Sequence, residues 1–202
     1  MIADSCHLRC GHSFAAFSAA WISGLPFKRG PVEAAQLLEQ YSNGKRCFER
    51  ADLREAHIVN VDLSSAYLSY ADLTWACVSY TCLDGADLQG AMLWRTRLEA
   101  ASLKSASLQR ALLLRSYLLR ADLSKAQLQE ADLRMSDLRH ADLRGANLQG
   151  AKLCFADLRG ASLRGANLQG TDLTGARLAD VDWRDAQLES AILPPPLMLT
   201  AV

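Results

Sequence analysis

Cys6, His7, Cys10 and His12 carry the ligand chemistry of half a zinc site. A tetrahedral structural site takes its second pair of ligands from a distant cluster with its own short spacing. None follows: His57 and His140 stand alone, and Cys47, Cys77, Cys82 and Cys154 are irregularly spaced. No metal is expected. No serine-centred nucleophile motif or glycine-rich phosphate loop occurs either. Asp plus Glu number 22, but Asp recurs at one repeating position. A carboxylate placed that way satisfies nearby backbone groups rather than reacting. No catalytic residue and no cofactor are assigned, and the chain is expected not to be an enzyme.

The elements that would position a binding site are more informative. The chain has 202 residues, enough for one domain with a short appendage, and Lys plus Arg (22) balances Asp plus Glu (22). That balance argues against a nucleic-acid binder. No apolar run reaches the ~18 residues of a membrane-spanning helix, so no membrane insertion is expected. The six cysteines do not form a disulfide framework and read as reduced thiols in a cytoplasmic protein. Residues 1–30 read as a flexible or loosely packed leader. Within it Ser13–Leu25 has the length of a signal-peptide core, but Arg9 is the only charged basic residue before it and no small-x-small cleavage site follows. An exported form is the alternative to cytoplasmic residence.

Residues 31–47 read as a capping helix and lead-in. Pro31 suits a first helical turn, Glu33 favours the positive end of the dipole, and Gly44 is placed to stop the helix. Val32, Ala35, Leu38 and Tyr41, with Ala34 and Leu37 beside them, form its expected apolar face. So short a helix is unstable alone and must lie on another element.

From Ala51 the chain repeats every five residues. A large apolar centre falls at Leu53, Ile58, Leu63 and so on to Leu193: 29 centres, all Leu except Ile58, Val78 and Trp183. Two residues before each centre stands a small residue, Ala in 22 of the 29. The residue just before the centre is often Asp or Asn. A period of five matches neither a strand nor a helix; on a helix the leucines would advance by about 140° per pentad and leave no apolar face. Equivalent pentads stacked as a solenoid bury every centre and every small residue.

This run of A-D/N-L-x-x resembles the pentapeptide-repeat family, as does the lead-in from Leu37-Leu38 through Tyr41 and Gly44 to Ala51-Asp52-Leu53. The resemblance implies an all-β fold: a right-handed quadrilateral β-helix of four pentads per coil, hence about seven coils over residues 48–193 and a rod ~35 Å long. Each centre leucine would contribute ~1.5–3 kcal/mol of burial, an upper bound. Phe48 lies in register one pentad before Leu53. Residues 194–202 form a C-terminal tail, where Pro194, Pro195 and Pro196 end the hydrogen-bonded ladder.

With four pentads per coil, residues 20 apart stack. Gln89, Gln109, Gln129, Gln149 and Gln169 then form an amide ladder beside Asn147 and Asn167. Asp122, Asp142 and Asp182 lie next to Lys104, Arg144, Arg164 and Arg184, and Arg139 and Arg159 next to Asp137 and Asp157, in positions for surface ion pairs. One face breaks the pattern. Trp75, Met92, Trp94, Leu112, Leu114, Met135 and Phe155, with Cys154, occupy outward positions that elsewhere carry Asp, Arg, Ser or Gly. Tyr80, Tyr117 and Leu119 lie around the corner.

An aromatic- and Met-rich exposed face is the mark of a protein-binding surface. The expected function is a non-catalytic interaction scaffold whose apolar face meets an unidentified protein partner or a second copy in a homodimer. Cover by residues 1–30 is the intramolecular alternative. The family resemblance also implies another possibility, since some members are DNA mimics that bind DNA gyrase and other type II topoisomerases. Those are strongly acidic, whereas residues 51–193 hold 18 acidic and 16 basic side chains and no projecting loop. A purely structural, self-associating repeat protein is the remaining alternative.

Overall fold

The computed structural model describes residues 34–195. Their architecture is a repeat β-helix preceded by one short helix, α1, Ala34–Ser42. The expected leader at 1–30, the first residues of the capping segment at 31–33 and the tail from 196 onward lie outside the described residues.

The pentad explains itself through its amides. In Ala51–Glu55 three extended residues are followed by a two-residue turn. Leu53 N–H donates to Asp72 O on the next level (2.7 Å), and Glu55 N–H to Thr74 O (3.0 Å). Asp72 N–H returns a bond to Ala51 O (2.9 Å). Ala56 N–H closes the turn on Leu53 O (3.1 Å), and Arg54 N–H is taken by the Asp52 side chain (3.3 Å). Every N–H type of the repeat therefore has a partner, the condition for burying so much backbone. The Asp or Asn before the centre is there to cap the turn. The same bond recurs at Asp62, Asp122, Asp142, Asn147, Asn167 and Asp182.

The second turn residue is left-handed throughout, with φ of 54° at Arg95, 59° at Lys125 and 67° at Gly175. Non-glycine residues adopt this conformation at a cost of ~1–2 kcal/mol each, which the flanking ladder must offset.

Parallel bridges join each bridge residue to the one twenty positions on, from Cys47↔Tyr67 to Asp172↔Ile192. The centre residues from Leu53 to Leu173 and the small residues from Ala66 to Thr171 point inward and are buried almost completely. Where Ser or Thr replaces the inward Ala, its hydroxyl is satisfied inside. Thr81 donates to Ile58 O (2.6 Å), Thr96 to Leu73 O (2.7 Å) and Ser116 to Leu113 O (2.7 Å). Such bonding removes most of the penalty of a buried hydroxyl.

Helix α1 packs on the first level. Leu37 is fully buried, and Ala34, Leu38 and Tyr41 rest against the core. Ala35, expected on this face, is exposed. The seated stripe is 34/37/38/41, because Leu37 is larger than Ala35 and turns the helix toward itself. Tyr41 O–H donates to Ser64 O (2.7 Å), and the Arg46 guanidinium lies 3.8 Å from the Tyr41 ring centre. Gly44 (φ 88°) ends the helix, as its position suggested. At the far end Leu178, Trp183, Leu188 and Leu193 are only partly covered.

Two expectations need correction. Cys47 is disulfide-bonded, so the six cysteines are not all reduced, while Cys77, Cys82 and Cys154 are free. Irregular sequence spacing does not prevent a pair, since a disulfide needs closeness in space. The expected axial ladder is not formed at Gln129, whose Nε2 donates to Gln127 Oε1 (3.1 Å) within its own pentad. Gln127 Nε2 in turn donates to Lys125 O (3.2 Å), the last residue of the preceding pentad.

Candidate interaction surface

One side of the rod carries the pentads 51–55, 71–75, 91–95, 111–115, 131–135, 151–155 and 171–175. Its bridge column runs Asp52, Asp72, Met92, Leu112, Asp132, Lys152, Asp172 and Ile192. Met92 and Leu112 are bridge partners and lie directly one above the other. They are 40% and 46% exposed. The first turn position of the same levels holds Trp94, exposed, and Leu114, half-buried. Trp75 stands at the second turn position one level earlier; its ring meets Trp94 edge to face, 5.5 Å between centres. Trp75, Met92, Trp94, Leu112 and Leu114 therefore form one patch over three successive levels.

Met135 and Phe155 do not join it directly. They occupy the corner column Trp75–Arg95–Arg115–Met135–Phe155–Gly175. Arg95 and Arg115 separate them from Trp75, and the Asp132–Arg134 ion pair (2.6 Å) separates them from Leu112. The Phe155 ring lies over Gly175, where a Cβ would come within 2.5 Å of it. An expected single face is thus a patch and a corner ridge.

Sequence reasoning missed Arg95 and Arg115. Their signal was present: they stand 20 and 40 residues after Trp75, in the same column. The Arg95 guanidinium lies 4.5 Å from the Trp75 ring centre and 5.1 Å from that of Trp94. Arg115 Nε lies 3.4 Å from Met135 Sδ. An open groove runs beside them, edged by Ser116, Tyr117 and Asp137.

The charged sides behave differently. Arg139, Arg144, Arg159 and Arg184 each reach back two residues and fork onto an Asp, at 2.7, 2.5, 2.7 and 2.6 Å. The guanidinium beside each of Asp137, Asp142 and Asp157 holds its carboxyl below the ordinary range, and Asp182 falls to about 2. Burial raises the Cys82 and Cys154 thiols, which keeps them protonated. Among the described residues no group of His, Cys, Asp and Glu is arranged to hold a metal ion, and no helix is long and apolar enough to cross a membrane.

Known proteins share this pattern. The model of the family described as pentapeptide repeats matches in eight copies over residues 47–79, 81–118, 121–160, 141–180 and 156–193. No curated protein matches the chain. Among solved structures it is similar to HetL, a pentapeptide repeat protein involved in heterocyst differentiation regulation from the cyanobacterium Nostoc sp. strain PCC 7120. Identity there is 29% over 81% of this chain and 98% of that one, with a TM-score of 0.33. It is 40% identical to another pentapeptide repeat protein of Nostoc PCC 7120, alr5209, over 64% of this chain and 80% of that one, with a TM-score of 0.22. A trypsin-treated form of QnrB1, a plasmid-mediated fluoroquinolone resistance protein, aligns at 24% identity over 73% of this chain and 76% of that one, with a TM-score of 0.56. The last likeness shows a shared fold. With the repeat spanning most of its length and its backbone bonded level to level, the chain belongs to the pentapeptide-repeat family.

Proposed function

We propose that the protein is a non-catalytic interaction scaffold: a right-handed, four-sided rod of about seven coils that presents its Trp/Met/Leu side to a partner protein. The single observation that carries this reading is the bridge column of that side. Asp52, Asp72, Asp132 and Asp172 each accept the N–H of the residue two further on, at 3.3, 3.0, 3.2 and 2.9 Å. Met92 and Leu112, like Lys152 and Ile192 in the same column, give up that cap, worth ~0.5–1.5 kcal/mol, and they stand side by side as apolar surface in water. Neither choice serves the rod. Both serve a surface that is covered by something else.

The four sides rest on bridges between residues twenty apart. Family membership supports the right hand, and 29 pentads at four to a coil support about seven coils. Cytoplasmic residence rests on the free thiols of Cys77, Cys82 and Cys154, against which stands the disulfide of Cys47. Alkylation under non-reducing conditions, read by mass, separates the two compartments.

Affinity capture with the intact protein and with the Trp94→Asp, Leu114→Asp double variant tests the function. A specific protein held by the first, lost by the folded second and rebinding when purified supports the scaffold. Equal capture by both removes the patch as the site. The topoisomerase reading is disfavoured by the charge pattern, because arginines neutralise the Asp columns pair by pair. It predicts the opposite dependence: Asp142 and Asp157 would matter and the tryptophans would not.

A further inference from the structure

Arginines with an Asp two residues earlier are paired on this rod, as at Arg54, Arg134, Arg139, Arg144, Arg159 and Arg184. Arg95 and Arg115 have Leu93 and Leu113 at that position and, among the described residues, no carboxylate partner. Both face the apolar patch. Arg95 is held by two tryptophan rings, which orient the cation without neutralising it. Among the described residues Arg115 meets only a thioether, a weak acceptor that leaves most of its donors unused. The nearest carboxylate in the groove, Asp137, is already taken by Arg139 (2.7 Å). The patch therefore combines exposed Trp, Met and Leu with two positive charges one level apart.

Resting on the scaffold reading, we propose that the occupant is an amphipathic α-helix of a partner protein. It lies along the rod, its apolar stripe on Met92, Trp94 and Leu112, and two carboxylates on its edge pair with Arg95 and Arg115. The spacing selects a helix. Levels of a parallel stack repeat every ~4.8 Å. Helical residues three or four apart rise by ~4.5–6 Å, so successive turns keep step with successive levels. An extended peptide presents its same-face residues every ~6.7 Å and falls out of step within two levels. Three levels of patch correspond to about three helical turns, or ~10 residues. The charge pattern also distinguishes this occupant from the chain's own leader. Residues 1–30 contain Asp4 as their single acidic residue, against Arg9, Lys28 and Arg29.

The test is selection of a displayed library of random 14-residue peptides on the full-length protein, on Arg115→Glu, and on the folded Trp94→Asp, Leu114→Asp variant. The expected winners on the native surface carry two acidic residues three or four apart beside apolar residues at helical spacing. Replacing either acid by its amide weakens the purified peptide on the order of tenfold. On Arg115→Glu one acid gives way to Lys or Arg. Winners that lack acids, or carry them two apart, overturn the helix and leave the scaffold standing. Winners resembling Ser13–Leu25 assign the face to the chain's own leader and overturn the proposal. Enrichment no stronger on the native surface than on the double variant overturns both readings.

Discussion

Leu112 and Leu113 are adjacent in sequence, yet their replacement should read out as two different kinds of defect. Leu113 is fully buried in the interior column. Leu113→Ala leaves a cavity between levels and should cost ~2.7–5 kcal/mol. At ~2–4 °C per kcal/mol for a chain of this size, the thermal midpoint falls on the order of 10 °C. Leu112 is 46% exposed, and its bridge partner Met92 is 40% exposed. Replacing both with Asn removes roughly half of two side-chain burials, ~1–1.5 kcal/mol each. It also restores two turn caps of the kind seen at Asn147 and Asn167, worth ~1 kcal/mol each. The two effects nearly cancel. The Met92→Asn, Leu112→Asn protein should melt within ~4 °C of the parent, while the apolar patch and its binding are lost. Thermal unfolding by circular dichroism and capture of the partner measure the two halves separately. A fall in midpoint as large as that of Leu113→Ala would show that the chain covers these side chains itself, and the reasoning would be refuted.

Three further outcomes follow from the geometry. Ala126→Leu adds bulk to a fully buried inward column and should destabilise by ~1–3 kcal/mol, seen as a lower urea midpoint. Gly165 (φ 65°) has open space where a Cβ would go, so Gly165→Ala pays backbone strain alone, ~1–2 kcal/mol. Gly175→Ala must also displace the Phe155 ring, 2.5 Å away, and should cost more; equal midpoints for the two variants would contradict the ring's placement. The paired carboxyls titrate below their unfolded values, so their stabilisation is present above the ordinary carboxylate range and drains away as pH falls through that range and below it. Asp142→Asn keeps a cap but loses the Arg144 pair, and should flatten the urea-midpoint-against-pH curve in that window. An unchanged slope would deny that pair a role in acid stability.

Much of this molecule can be read along the chain because its repeat is so short. The period of five assigns Leu and Ala inward and the next residues outward, since one local conformation recurs and each side chain's direction depends on its place in the pentad. The same regularity exposes Met92, Trp94 and Leu112 as departures, without knowledge of what they touch. The use of Asp was readable as backbone satisfaction, and the structure shows the bond at Asp52, Asp72 and Asp142.

Other features depended on distance in space. The helix seats Leu37 rather than Ala35 because the helical period allows neighbouring stripes and the larger side chain turns its own stripe, 34/37/38/41, onto the core. Cys47 is bonded because closeness of two sulfurs is not a function of spacing. Gln129 bonds to Gln127 beside it because a short local contact outcompetes the axial one. Most consequential is the corner column. Trp75, Arg95 and Arg115 are separated by twenty residues each, and only stacking brings the cation onto the two rings. Sequence alone determined the period, the buried columns and the apolar departures, because these follow from local conformation. The tertiary structure decided which departures form one surface and which charges on it remain unpaired, because those depend on what the neighbouring level supplies.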